Sequence, residues 1–333
     1  MSTPSAQPDL GYAPTIYDQI SIEAIGPDQF QSRYLPARMG NMADLAYGGC
    51  ALGVGLRSAC ETAPPHYSLY TVTGSFLAPV STAFQLRCVV RRLRDTKTFA
   101  TRQVEVHQKQ KDDTSRLCMI ILADFQKMAD KSLLTYSTPP VREYSPPSKC
   151  LTPFEAGEKL VEEGELPERS LMLYRAMFGL MHRFFEYRQA PEGIAANNLS
   201  GVAKNRYSNQ DELDITQKTS ADWFRSRQQL SNLHDRYAAF IFMMDGFLSF
   251  LPLAHSNMFM DDAAACSSLD FALRLFVDDI RLDDWNLREL RTVRGGTGMT
   301  YSEGRVWDQQ GKLVASMTQQ SVLRPKQDAQ ARL

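Results

Sequence analysis

Two long apolar stretches stand out in the hydrophobic pattern of the chain. The first, Gly48–Cys60, reads GGCALGVGLRSAC and is rich in small residues. The second, His234–Leu253, is strongly apolar. Both are longer than an ordinary strand, and length is what separates a buried helix from a buried strand. We therefore predict two core helices, one in each half of the chain.

Shorter runs rich in β-branched and aromatic residues follow each predicted helix, and these features predict strands. Four runs follow the first helix: Leu69–Leu77, Phe84–Leu93, Thr98–His107 and Leu117–Gln126. Four follow the second: Ser267–Phe276, Trp285–Val293, Gly298–Trp307 and Lys312–Leu323. The repeated order makes Gln126 the predicted counterpart of Gln319. A sheet with one apolar face must bury that face against another element. The pattern therefore predicts an α+β protein in which each half wraps a curved antiparallel sheet around one helix.

Composition changes between the halves give the predicted domain division. Residues 1–14 are a disordered lead, 15–130 the first half, 131–182 a proline-rich linker with a helical insert, 183–326 the second half, and 327–333 a tail. The segment Ser137–Pro153 holds five prolines, which is typical of an extended linker.

The insert carries an apolar stripe in Pro167–Arg188, a segment that is helix-like at its start. Its members recur at three- and four-residue spacing: Leu171, Tyr174, Met177, Phe178 and Met181. Such a stripe packs against a core. Because methionine and phenylalanine also suit an adaptable apolar pocket, the alternative is that it closes a binding tunnel.

Composition excludes several classes of partner. The 333 residues carry a net charge of −1, with 43% hydrophobic and 23% charged residues, which fits a soluble globular protein. We therefore expect no nucleic-acid partner, and no run has the roughly eighteen apolar residues of a membrane span. The first residues lack the pattern of a secretory signal. Six scattered cysteines form no CxxC pair, so we expect free thiols and neither a metal nor a cofactor.

The last three residues, Ala331-Arg332-Leu333, have the small–basic–leucine pattern of a peroxisomal import signal. A polar tail precedes them, as an exposed signal requires. This pattern predicts recognition by the peroxisomal import receptor and a peroxisomal location, with the cytoplasm as the alternative.

Asp245 is the only ionisable residue in Ala238–Leu253. On a helix, its neighbours at three and four positions are mostly apolar. Burying a carboxylate costs several kcal/mol unless it is paired or protonated. Two interpretations remain open: a functional carboxylate with a raised pKa, or a carboxylate that reaches solvent.

Several short segments, in order and spacing, resemble the acyl-CoA thioesterase II family over most of Tyr17–Arg324. In the first half these are Tyr47-Gly48-Gly49, Phe76–Pro79, Arg94–Arg102 and Asp124–Gln126. In the second half they are Phe185–Arg188, Asp222–Arg225, Asp245 with Phe250–Pro252, Ser268–Asp270 and Val314–Gln319. The resemblance implies a double hotdog fold, that is, two tandem hotdog halves. It also implies self-association into a homo-oligomer.

The resemblance implies that a catalytic water is held by Asp245, Ser268 and Gln319. Ser267 and Gln320 compete for the last two assignments, because a one-residue slip exchanges the faces of a strand. Asp270 should share the face of Ser268.

Four further residues are implied to contact substrate or the developing oxyanion: Gly48, Gly49, Cys50 and Phe271. The family usually has glutamine at the position of Cys50 and histidine at that of Phe271, so this chain departs from it at both, and a specialised substrate is expected. Cys50 is either an activated thiolate near a helix start or a buried small residue.

The implied function is hydrolysis of an acyl-CoA thioester to free acid and CoA, as part of fatty acid metabolism. The alternative is a biosynthetic thioesterase or acyltransferase-like hotdog enzyme acting on a polyketide-type acyl-CoA or carrier-bound acyl group. A non-enzymatic acyl-CoA binding module is a second alternative. The chain has no GxSxG motif, so the serine-hydrolase route lacks its signature.

Overall fold

In the computed structural model, which describes residues 12–127 and 131–326, two long helices pack against each other on one face of a single antiparallel sheet. The helices of the first half are α1 Ile16–Ile20 and α2 Gly48–Glu61. Its strands are β1 Ile22–Gly26, β2 Gln29–Ser32, β3 Tyr67–Phe76, β4 Leu86–Asp95, β5 Phe99–Lys109 and β6 Ser115–Lys127.

Two helices lie between the halves, and the second half then repeats the plan. The intervening helices are α3 Pro153–Glu162 and α4 Glu168–Phe184. The helices of the second half are α5 Ile194–Asn197, α6 Leu233–Met244 and α7 Leu251–His255. Its strands are β7 Phe185–Gln189, β8 Ser220–Ser226, β9 Ala263–Leu275, β10 Asn286–Gly296, β11 Met299–Trp307 and β12 Leu313–Pro325.

All twelve strands form one sheet with the order β1-β2-β4-β5-β6-β3-β9-β12-β11-β10-β8-β7. The halves meet where β3 pairs with β9, with Gly74 opposite Phe271. The predicted arrangement of two helices, each followed by four antiparallel strands, is therefore present. The sheet runs without interruption from one half into the other.

The small residues of α2 allow the two core helices to approach closely. A Cβ on Gly53 would lie 2.9 Å from the side chain of Ile20 and 3.3 Å from the carbonyl oxygen of Ala238 on α6. A larger residue there would push the helices apart. No helix in the described part of the chain is long and apolar enough to cross a membrane.

Four strands were not predicted from the sequence: β1, β2, β7 and β8. β1 has no fully buried residue, so it has no buried face to produce an alternating pattern. β7 begins directly after α4 ends at Phe184, within Pro167–Arg188, the segment that is helix-like at its start. β7 pairs with β8, and this pairing between distant segments sets the conformation of a short run whose own pattern does not.

The proline-rich segment has little regular secondary structure, and it binds to the second half. The indole nitrogens of Trp307 and Trp223 donate to the carbonyl oxygens of Thr138 and Ser145 at 2.7 and 2.8 Å. The linker leads into α3, which the sequence analysis missed although Thr152 and Glu155 form a capping box at its start.

Some predictions concern the chain ends. The disordered lead falls largely outside the described residues, and the tail with its import tripeptide falls wholly outside them. The proposed domain division stays a prediction.

Candidate active site

Asp245 lies at the end of α6 and not in the middle of a longer helix. The helix stops at Met244, and Asp245 is its C-cap residue. Phe247 then takes a left-handed conformation with φ +86°, and Pro252 lies in the first turn of α7. The prediction of one helix to Leu253 is wrong, because Phe247 in this conformation interrupts the helical backbone, and Pro252 belongs to the start of the next helix.

The Asp245 carboxylate is buried, with 6% of the residue exposed. Gln319 Nε2 donates to its Oδ1 at 2.6 Å, and the Gly49 backbone N–H also donates to it. It forms no ion pair with any described residue. Burial raises the pKa of Asp245 to about 7, and the two hydrogen bonds partly oppose that rise. At neutral pH the carboxylate and the carboxylic acid are therefore both populated.

Ser268 and Gln319 extend this contact into a chain of three side chains. Ser268 Oγ donates to Gln319 Oε1 at 3.1 Å, so the Gln319 amide connects the hydroxyl to Asp245. Gln319 is fully buried, whereas Gln320 is half-buried and contacts the sulfur of Met299. The structure thus brings the three predicted residues together and selects Gln319 over Gln320.

A β-bulge sets the direction of Ser268. Asp270 pairs with Gln320 and Ser268 with Ser321, so Leu269 is an extra residue in β9. The expectation that Asp270 shares the face of Ser268 is wrong, because the bulge breaks the two-residue alternation and leaves Asp270 exposed. Ser267 is also exposed, which leaves Ser268 as the serine that reaches Gln319.

The predicted correspondence between Gln126 and Gln319 is also wrong. Gln126 is the penultimate residue of β6 and lies opposite Ser68. Gln319 lies at the middle of β12, opposite Phe271. The strand order repeats between the halves, but the two glutamines do not occupy equivalent positions.

The first half of the chain completes the site through the start of α2. A Cβ on Gly48 would lie 2.8 Å from Asp245 Oδ2 and 2.8 Å from the Phe76 ring, so only glycine fits. The Tyr47 hydroxyl donates to the Phe242 carbonyl oxygen at 2.7 Å, which ties this helix start to α6. The positive end of α2 therefore faces the carboxylate, and it favours negative charge there.

Cys50 and Phe271 are not in contact with the cavity beside Asp245. Cys50 is fully buried, its thiol lies 3.6 Å from the Ala37 carbonyl oxygen, and burial raises its pKa to about 12. It is therefore a buried thiol and not an activated thiolate. The Phe271 ring packs edge-on against Phe76 at 5.8 Å, and Phe76 is the residue that lines the cavity.

A cavity of about 510 Å³ lies beside this chain of side chains. Among the described residues that line it, Asp245 is the only charged one, and most of the rest are apolar. Gly48 and Ser268 also line it, whereas Gly49 and Gln319 lie behind them. Among the residues that the structure describes, no group of three or more His, Cys, Asp or Glu side chains is placed to hold a metal ion.

A buried arginine, which the sequence analysis missed, holds the end of α6. Arg288 Nη1 donates to the carbonyl oxygens of Met243 and Gly246, both at 3.0 Å, and these residues flank Asp245. Its Nη2 donates to Asp222 Oδ2 at 2.9 Å. The only signal in the sequence was that Asp222 lies in a segment that resembles the thioesterase family.

Solved structures with this fold include three bacterial proteins. An acyl-CoA thioesterase II from Mycobacterium marinum is 19% identical, with 93% of this chain and 98% of that chain covered and a TM-score of 0.64. The TesB protein of Mycobacterium avium subspecies paratuberculosis is 15% identical, with 93% and 98% covered and a TM-score of 0.66. A protein of unknown function with a hot dog fold from Alicyclobacillus acidocaldarius is 16% identical, with 94% and 98% covered and a TM-score of 0.63. These similarities confirm the predicted double hotdog fold.

Family models identify both halves. The model described as the acyl-CoA thioesterase N-terminal domain matches residues 35–126, and the model described as the acyl-CoA thioesterase C-terminal domain matches residues 170–323. Together the two matches cover more than half of the chain, in the order that the resemblance implied. The chain therefore belongs to the acyl-CoA thioesterase family.

Proposed function

We propose that this protein hydrolyses an acyl-CoA to free acid and CoA through one water molecule held by Asp245 and Ser268. The observation that carries the proposal is the hydrogen-bonded chain from Ser268 through Gln319 to Asp245 at the wall of a largely apolar cavity. Gln319 lies behind the other two side chains, so its proposed role is to position them.

The hydrogen-bond directions determine how a water would sit. The Ser268 hydroxyl donates its proton to Gln319, so its oxygen can only accept a hydrogen bond from a water. An ionised Asp245 also only accepts. A water that donates one proton to each points a lone pair away from both, toward a thioester carbonyl in the cavity. Asp245 then takes the proton as the water attacks.

The start of α2 offers a place for the developing oxyanion. Gly48 is the first residue of the helix and lines the cavity. The N–H groups of a first helical turn have no partner within the helix. The Gly48 N–H is therefore proposed to donate to the oxyanion, while the Gly49 N–H holds Asp245.

Replacing Asp245 with asparagine tests the assignment. The asparagine amide is too weak a base to take a proton from water, so kcat for acyl-CoA hydrolysis should fall by roughly 10²–10⁴-fold. The measurement is CoA release with a thiol reagent, alongside a thermal melt to verify folding.

Asp270→Asn is the matched control for this experiment. It removes an exposed carboxylate on the strand that carries Ser268, and turnover should stay near that of the wild type. Near-normal turnover by a folded Asp245→Asn protein would reject the assignment of Asp245 as the base.

To distinguish acyl-CoA hydrolysis from the biosynthetic alternative, the same acyl group is presented on CoA and on a carrier protein, and the two rates of release are compared. The family descriptions name acyl-CoA, so we expect faster release from CoA. Release from the carrier alone would support a biosynthetic enzyme, and binding without release a binding module.

We also propose import into peroxisomes through Ala331, Arg332 and Leu333, and assembly into a homo-oligomer. Deletion of Leu333 should leave a fluorescent fusion in the cytosol, and light scattering should give a mass above 37.6 kDa. Unchanged peroxisomal fluorescence, or a monomer mass, would contradict the respective proposal.

A further inference from the structure

The catalytic cavity has an open end and a closed end. Leu45, Leu77 and Leu269 line the open end and are 42%, 51% and 37% exposed. The opposite end is lined by residues that are less than a tenth exposed, among them Phe178 and Phe250. A CoA moiety is large, polar and charged, so it must stay at the open end. The acyl group of a thioester held at Asp245 then points toward the closed end.

Three aromatic rings and Met39 form the closed end, and we call Phe178, Phe247 and Phe250 the aromatic wall. Phe178 packs on Phe250 with the ring centroids 5.5 Å apart, and Phe250 packs on Phe247 at 4.6 Å. Phe247 and Phe250 come from the segment between α6 and α7, immediately after Asp245. Phe178 comes from α4, the helix that follows the linker.

Phe178 belongs to the apolar stripe of α4 for which two interpretations were open. The stripe packs on the core, since all five of its members are buried. Phe178 additionally faces the catalytic cavity. The backbone of α4 is fixed to the cavity rim, because the Gly40 N–H donates to the Met177 carbonyl oxygen at 2.9 Å.

A second, smaller cavity of about 40 Å³ lies directly behind the aromatic wall. All three wall residues line both cavities. The far side of the second cavity includes Tyr174 and Met181, from the same stripe of α4. The wall is therefore one side chain thick at Phe178, with unfilled space on both sides.

We infer that the aromatic wall terminates the acyl pocket and that Phe178 sets the longest acyl chain that the enzyme accepts. The inference rests on the proposed function, since it assumes that the thioester lies at Asp245. The substrate class it names is an acyl-CoA whose chain ends at the wall. Truncating Phe178 joins the two cavities and lengthens the pocket.

The test is the profile of kcat/KM over straight-chain acyl-CoA substrates from acetyl to palmitoyl. Each methylene that gains a buried site should raise kcat/KM about fourfold, from roughly 0.8 kcal/mol per methylene. Phe178→Ala should therefore move the optimum to chains longer by roughly two to four carbons, the length that the missing ring vacates. Phe178→Trp should move the optimum to shorter chains.

Met172→Ala is the matched control, because Met172 lies on the same helix but is 64% exposed and lines neither cavity. Its profile should match that of the wild type. If both Phe178 variants melt near the wild-type temperature and keep its profile, the inference is overturned. Should Phe178→Ala fail to fold, the opposite shift expected of Phe178→Trp still decides the matter.

A second measurement separates this inference from the proposed function. Each acyl-CoA is added to the wild type and to the Phe178 variants, and the rise in melting temperature is recorded. If the wild type binds acyl-CoA without hydrolysing it, the proposed function fails. In that case, the acyl chain length that gives the largest rise in melting temperature is compared between the wild type and the Phe178 variants. A change in this length still supports the inference that Phe178 limits the acyl pocket, and an unchanged length overturns it.

Discussion

Asp245 occupies a position that is unfavourable for a carboxylate and useful for a base. It is buried and forms no ion pair with any described residue. Two donors, Gln319 Nε2 and the Gly49 N–H, stabilise its charge without supplying a full opposite charge. The result is a pKa of about 7, close to the pH at which a general base works best.

The raised pKa of Asp245 predicts a pH dependence of stability. In the unfolded chain the carboxyl ionises near pH 3.8, and in the folded chain it does so near pH 7. Between these values the folded state keeps a proton that the unfolded state has lost, so a rise in pH favours unfolding. Relative to Asp245→Asn, the wild type should lose on the order of a few kcal/mol of unfolding free energy from about pH 4 to about pH 7. Urea titrations of both proteins across this range measure the difference.

In the proposed mechanism, the same proton governs the rate of hydrolysis. Because only the ionised form of Asp245 accepts a proton from water, kcat/KM should rise with pH and level off above about pH 7. A rate that is flat across this range, or a constant stability difference between the two proteins, would contradict the raised pKa.

The end of α6 is held by the Arg288–Asp222 pair. The Arg288 guanidinium binds two carbonyl oxygens that flank Asp245 and is itself neutralised by Asp222. The neutralised pair acts on Asp245 through the backbone and contributes little net charge to it. Its proposed role is to fix the direction in which the carboxylate leaves the helix.

Replacing Arg288 and Asp222 by apolar residues should separate their contribution to the stability of the fold from their role in positioning Asp245. Arg288→Met alone leaves Asp222 buried without a partner and should cost about 3–5 kcal/mol of unfolding free energy. The double variant with Asp222→Leu should recover much of that loss. Its kcat should stay at least about tenfold below that of the wild type, with KM nearly unchanged, because small displacements of a catalytic group are costly. Urea unfolding and steady-state kinetics measure the two effects.

The first half offers a matched control for this prediction. Arg102 is 1% exposed, pairs with Asp95 and donates to the Thr62 carbonyl oxygen at the end of α2. That end lies away from Asp245, so Arg102→Met should lower stability and leave kcat unchanged. A double variant of Arg288 and Asp222 that is as active as the wild type would remove the positioning role.

The hydrophobic pattern was sufficient to locate the two core helices, except for the end of α6, and the eight long strands, because hydrophobic periodicity is a property of the local sequence. Features that depend on pairing between segments far apart in the sequence could not be predicted from this pattern. The bulge at Leu269 depends on how β9 aligns with β12, and it reversed the expected direction of Asp270. In the sequence, Arg288 is indistinguishable from a surface arginine. Its role follows only from its contacts with Asp222 and the end of α6.

The candidate site belongs to neither half of the chain alone. Asp245, Ser268 and Gln319 come from the second half, whereas Gly48 and the helix start come from the first. The pairing of β3 with β9 and the packing of α2 on α6 hold the two together. The linker that joins them adds contacts of its own to β11 through Trp307.

Cutting the linker should therefore leave the molecule intact. Leu133 and Leu134 are 97% and 75% exposed and precede the part of the linker that binds the second half. A protease site inserted between them should allow cleavage into two fragments that elute together and hydrolyse acyl-CoA at the uncut rate. Size-exclusion chromatography with an activity assay checks this, and fragments that separate in buffer would refute it.

The paired helices α2 and α6 have two ends, and their charged groups differ. At one end Asp245 faces a cavity and has no cationic partner among the described residues. At the other end, Arg57 contacts both Asp235 and Glu61, so the acidic groups there already share a cation. A duplicated fold has two symmetry-related places for such a cavity, yet within the described part of the chain only one of these ends carries a buried acid without an ion-pair partner. Titration with a tight-binding substrate mimic should accordingly reach saturation at a single equivalent per polypeptide.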